Sequence, residues 1–158
     1  MKTQVHRTSL PEVLIVEPES FEDDRGFFAR SFCRQEFIDA GLDPLVEQAN
    51  ISFNHRCGTL RGLHFQAPPH AQAKLVRCSR GRLLDVAVDI RRGSPTFGQW
   101  VRYELSFENG RQLLIPAGFL HGFATRQPDT EIVYKCSDYY APDCDGAVRF
   151  DSLDIDWG

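Results

Sequence analysis

No stretch of this 158-residue sequence approaches the roughly 18 apolar residues of a membrane span. No Cys-x-x-Cys pair occurs. Cys33, Cys57, Cys78, Cys136 and Cys144 are odd in number and scattered, which argues for free thiols over a disulfide framework, a zinc site or a redox pair. No long basic run is present and the formal net charge is −4, so a nucleic-acid surface has no support. Met1 to Thr8 is polar and basic and lacks the apolar centre of a secretory signal, so the expected location is the cytoplasm. Internal repeats, low-complexity tracts and linkers are missing too.

What remains is ordinary globular material, 42% hydrophobic and 25% charged, expected to form a single domain over residues 1–158. The chain reads as mainly β. Leu83 to Ile90 is rich in β-branched residues and alternates in its latter part, Trp100 to Phe107 and Thr130 to Cys136 alternate throughout, and Leu113-Leu114-Ile115 is a short buried run. Gly- and Pro-containing clusters separate them, which suggests a sandwich or barrel of short strands. Asn109-Gly110 between two strands signals a tight hairpin. One helix is expected from Arg34 to Ala40, stopped by Gly41.

Two segments carry the chemistry: Arg61-Gly62-Leu63-His64-Phe65-Gln66, and Pro116-Ala117-Gly118-Phe119-Leu120-His121. Gly58 precedes His64 by six residues, and Gly110 precedes Pro116 by six. They resemble the two boxes of the cupin fold, which implies a double-stranded β-helix, or jelly-roll barrel, with a few short helices. A metal-binding cupin continues from its first His with a second His two residues on and then a Glu. Here Gln66 and then Ala67 to Ala71 follow, so two of four ligands are missing and no metal is expected. Histidines in a barrel mouth without a metal point to proton transfer.

Further boxes extend the likeness. Arg25-Gly26-Phe27-Phe28, Gln48-Ala49-Asn50, Lys74-Leu75-Val76, Asp85 to Asp89, Ser94 to Gly98, Ile115 to Phe123, Tyr134-Lys135 and Tyr139 to Pro142 appear in order. Together they resemble the dTDP-4-dehydrorhamnose 3,5-epimerase family from about Val13 to Trp157. The resemblance implies a nucleoside diphosphate 4-keto-6-deoxyhexose as substrate. Its C4 ketone acidifies the hydrogens on C3 and C5. A base removes one, an enolate forms, and an acid returns a proton to the opposite face. No redox cofactor is required.

By resemblance His64 is the base, and its ordinary pKa near ~6.5 suits the task. Tyr134, facing the same way as Ile132 and Cys136 on an alternating strand, is the acid. Lys74 is the partner of the developing oxyanion. His121 and Arg61 hold the sugar or diphosphate, and Arg25, Phe27, Gln48, Asn50 and Asp145 complete the substrate-binding set. Lys135 points away from Tyr134 and reads as structural. Two departures stand out. Family members commonly carry Glu where this chain has Arg30, which opens the identity of the base. The family Asp that orients the catalytic His has no counterpart up to Gly158, so Asp85 or Asp89 is a candidate substitute. A single-centre epimerase, a 3,4-ketoisomerase and a non-catalytic sugar-nucleotide binding module are the alternatives. A homodimer by exchange of N-terminal strands is also implied. Val13 to Val16 is the apolar strand for it, because left alone it would expose a hydrophobic edge.

Overall fold

The computed structural model describes residues 2–158. In chain order its strands are β1 (Gln4–Arg7), β2 (Leu14–Glu17), β3 (Ser20–Asp23), β4 (Gly26–Ala29), β5 (Gln48–Asn54), β6 (Leu60–Gln66), β7 (Lys74–Arg80), β8 (Arg82–Asp89), β9 (Trp100–Ser106), β10 (Gln112–Ile115), β11 (Phe119–Thr125), β12 (Thr130–Cys136) and β13 (Asp145–Ala147). One α-helix, α1 (Arg34–Asp39), and one 3-10 turn (Pro142–Cys144) accompany them. Gly41 ends the helix in the left-handed region, as its position in the sequence suggests.

The strands form a six-stranded sheet ordered β1-β2-β10-β7-β12-β5 and a five-stranded sheet ordered β13-β6-β11-β8-β9, with β3 and β4 as a separate hairpin. The architecture is the mainly β jelly roll that the sequence suggests. The two large sheets face each other across a core that includes Val76, Cys78, Leu83, Ala87, Leu105, Leu113 and Ile132. The outer face of the five-stranded sheet is covered by the chain's final segment. There Val148, Leu153, Ile155 and Trp157 pack on Leu63, Val86, Val88 and Leu120. Helix α1 covers part of the other outer face, where Phe37 packs with Val16 and Leu75.

Two expectations need correction. Asn109-Gly110 is not a hairpin turn, because β9 and β10 belong to different sheets. Asn109 Oδ1 accepts from the Ser106 and Arg111 N–H groups, and this side-chain turn carries the chain across the sandwich. Nor is the Val13 to Val16 segment a lone edge. Strand β2 is paired on one side with β1 and on the other with β10, and Val13 and Val16 are fully buried. The open edge is β1, whose four residues are exposed and, Val5 apart, polar.

Asp89 shows why the Ser94-Pro95-Thr96 box is present. Its buried carboxylate accepts from the Arg91 guanidinium, from Ser94 Oγ at 2.6 Å and from Thr96 Oγ1 at 2.6 Å, and it is held well below the usual carboxylate range, first by Arg91. Asp89→Ala would strand these donors around an empty acceptor site. A loss of about 2–4 kcal/mol is expected, below the full cost of a broken buried pair because Arg91 is partly exposed. Thermal unfolding should show it as a drop of roughly 5–15 °C.

Candidate active site

Strand β6 supplies the first wall. His64 lies opposite His121 of β11, and Arg61 lies opposite Phe123. Three residues advance on β6 while two advance on β11, so an extra residue is inserted between them. In an unbroken strand residues three apart face opposite ways, and the bulge lets both Arg61 and His64 face the cavity. Glycine makes the bulge possible. Gly62 has φ +115°, and a Cβ there would meet Gly122 Cα at 2.7 Å and the His121 carbonyl at 2.8 Å.

The opposite wall comes from the six-stranded sheet. Tyr134 on β12 lies across from Asn50 of β5 and Val76 of β7, and Cys136 lies across from Gln48 and Lys74. Arg61, His64, Lys74, His121 and Tyr134 line a cavity of about 430 Å³. An adjoining cavity of about 460 Å³ shares His64, Lys74 and Tyr134 and adds Gln48, Asn50, Cys136, Tyr140 and Asp145. Eight of the ten residues singled out in the sequence therefore line one continuous cleft. Arg25 and Phe27 do not. They sit on the β3–β4 hairpin beside a separate cavity of about 470 Å³, and the Arg25 guanidinium pairs with Asp23 at 2.5 Å. Arg30 is an exposed residue 3.9 Å from Glu36.

The electrostatics separate the two walls. Burial lowers the His64 pKa, helped by Lys74, His121 and Arg61 and opposed by Asp145. Burial also lowers the Lys74 pKa, with the carboxylates of Asp85 and Asp145 among the opposing influences. Tyr134 is raised by burial. A neutral imidazole thus faces a protonated phenol at neutral pH, with Lys74 Nζ 5.8 Å from the Tyr134 ring centroid. If His64 acts neutral and Lys74 charged, kcat/KM should lose activity in acid only below the ordinary histidine pKa of about 6.5. Its alkaline limb should fall below the ordinary lysine value of about 10.4, ahead of any tyrosine ionisation. A pH–rate profile with an acidic limb above about 7 would contradict this assignment.

Neither proposed substitute carboxylate reaches His64. Asp85, fully buried on β8, accepts from His121 Nε2 at 2.6 Å, and its second oxygen is buried without a partner. The register explains this, because Ala87 lies opposite His121 and Asp85 is two residues along on the same face. Asp89 is engaged by Arg91, Ser94 and Thr96. The nearest influence of a carboxylate on His64 is that of Asp145, which lies diagonally across the β6–β13 pair.

Gln66 holds the place where a second metal-binding His would stand. Its amide donates to the His70 and Tyr139 carbonyls and accepts from the Ala141 N–H, so it ties down the two loops at the cleft mouth. Among the described residues no three His, Cys, Asp or Glu side chains are grouped to hold a metal ion. The sequence reading missed Asn54, the Asp85–His121 pair and this Gln66 latch. A signal for the first was present: Gln48, Asn50, Ser52 and Asn54 are polar at every second position of one strand. On β5 Ile51 is 71% exposed while Asn54 is buried, and Gln48, Asn50 and Ser52 border the cleft.

Comparison with known proteins agrees with this geometry. The family model for dTDP-4-dehydrorhamnose 3,5-epimerase matches residues 7–158. The dTDP-4-dehydrorhamnose 3,5-epimerase of Salmonella typhimurium is 48% identical over 156 residues, which cover 97% of this chain and 85% of that protein. The crystal structure of the Bacillus anthracis dTDP-4-dehydrorhamnose 3,5-epimerase with TDP and PPi bound superposes with a TM-score of 0.95 at 43% identity, covering 98% of this chain and 90% of that one. The Legionella pneumophila dTDP-6-deoxy-D-glucose-3,5-epimerase, in complex with dTDP-4-keto-L-rhamnose, gives 0.94 at 43% identity, covering 98% and 83%. From residue 7 to its last residue, this chain belongs to the dTDP-4-dehydrorhamnose 3,5-epimerase family.

Proposed function

We propose that this protein converts dTDP-4-dehydro-6-deoxyglucose to dTDP-4-dehydrorhamnose by inverting C3 and C5 through enolate intermediates. The observation that carries the reading is the placement of His64 and Tyr134 on facing sheets with one cleft between them. A sugar ring held there presents one face to the imidazole and the other to the phenol. His64 takes the proton alpha to the ketone. Lys74 and Arg61 stabilise the enolate oxygen and the diphosphate as cations, and Arg61 offers a fork suited to phosphate. His121, held through Nε2 by Asp85, contacts the sugar. Tyr134 delivers a proton from the far side. Gln48, Asn50 and Asp145 line the part of the cleft beyond the sugar.

The test is conversion of a panel of thymidine, cytidine and guanosine diphosphate 4-keto-6-deoxy sugars, followed by NMR of the products. Inversion at both carbons of the thymidine substrate is expected. Inversion at C3 alone would make it a single-centre epimerase, a 3-keto product a ketoisomerase, and binding without turnover a binding module. The five cysteines are all free, which suits a reducing compartment and hence the cytoplasm.

The reading extends to a C2 homodimer in which the β3–β4 hairpin of one protomer approaches its partner's cleft. Phe21, Phe27 and Phe28 on that hairpin are exposed, and an apolar patch of this kind is usually covered. Light scattering at micromolar concentration should give twice the chain mass of 18.0 kDa. A monomeric mass would refute the dimer and leave Arg25 and Phe27 outside any site.

A further inference from the structure

Arg61 is held by a residue that lies outside the cleft lining. Its Nε–H donates to Asn54 Oδ1 at 2.7 Å. Asn54 is only 2% exposed. Its Nδ2 donates to the Ser52 carbonyl at 3.3 Å and to the Thr130 carbonyl at 3.1 Å. Thr130 lies directly across from Asn54 in the β5–β12 pair, so the amide is pinned by backbone at the junction of two strands. Both Asn54 amide protons and its carbonyl oxygen are thereby used, and the side chain has one orientation that satisfies all three. The guanidinium is gripped through its Nε edge. Its two Nη groups have no partner among the described residues and belong to the residue that lines the cleft.

We propose that Asn54 is a positioning residue that aims the free Nη edge of Arg61 at the diphosphate of the substrate. The inference rests on Arg61 being a substrate ligand. A free arginine on a strand loses rotamer entropy each time it binds an anion, and clamping Nε beforehand removes part of that cost. Asn54 itself touches no substrate atom in this account.

The test is a double-mutant cycle read in steady-state kinetics with the thymidine 4-keto sugar. Asn54→Ala should raise KM roughly 10-fold and leave kcat within about threefold, the pattern of lost uniform binding. In an Arg61→Ala background the same substitution should add little to KM. Independent, fully additive effects would overturn the proposal, as would a fall in kcat with KM unchanged. If Arg61→Ala weakens binding and Asn54→Ala does not, the clamp alone is refuted. If Arg61→Ala itself leaves KM unchanged, Arg61 is no ligand and both ideas fall. A measurement on the unmutated protein covers the case in which Asn54→Ala does not fold. The Arg61 Nε–H resonance, assigned by its loss in Arg61→Lys, should exchange with solvent more slowly than those of exposed arginines. Equal exchange rates would also refute the clamp.

Discussion

His64→Ala is expected to abolish both solvent proton exchange and epimerisation, with a loss of roughly 10²–10⁴-fold or more. His64 is the imidazole that lines both parts of the cleft, and burial favours its neutral form. The Tyr134 phenol is pushed further from ionisation by burial, and His121 has one ring nitrogen committed to Asp85. The fold should survive. His64 is exposed to the cleft, and its ring has no hydrogen-bond partner among the described residues, so its removal strands no buried group. An unchanged melting temperature with lost turnover is the expected pair of results. Retained deuterium exchange in His64→Ala would move the base elsewhere.

Tyr134→Phe should behave differently. The ring stays packed against the core, and the hydroxyl has no protein partner among the described residues to leave behind. The enolate can still form at His64, and His64 can return the proton to the face from which it came. Exchange should persist at one or both carbons while inversion falls by roughly 10²–10⁴-fold, or about 3–5 kcal/mol in the inverting step. The C5 centre should lose most. Deuterium incorporation and product configuration, read by NMR on the same sample, separate the two quantities. Equal, complete loss of exchange in both variants would mean that the roles are wrongly divided. Normal inversion by Tyr134→Phe would reduce this tyrosine to cleft lining.

Local pattern made much of this legible. Thr130 to Cys136 alternates, and β12 has those bounds, with Tyr134 facing inward beside Ile132 and Cys136. Gly41 ends α1 because its φ of +73° suits glycine. Pairing across the fold was harder to read, because period-2 alternation fixes which face a residue takes but not which strand lies beside it. Asn109-Gly110 has hairpin chemistry and yet joins two sheets. Asp85 was a candidate partner for His64, and the β8–β11 register gives it to His121 instead. Arg61 and His64 share a cleft only because of an inserted residue at Gly62. Strand β5 buries Asn54 and leaves Ile51 exposed, so a search for apolar inward faces passes over it.

The decisive experiment is incubation of the unmutated protein with dTDP-4-dehydro-6-deoxyglucose in heavy water. One solvent deuteron is expected at C3 and one at C5 of the product, with both centres inverted. Inverted product without solvent deuterium, or no exchange at either carbon, would contradict proton transfer through an enolate between His64 and Tyr134.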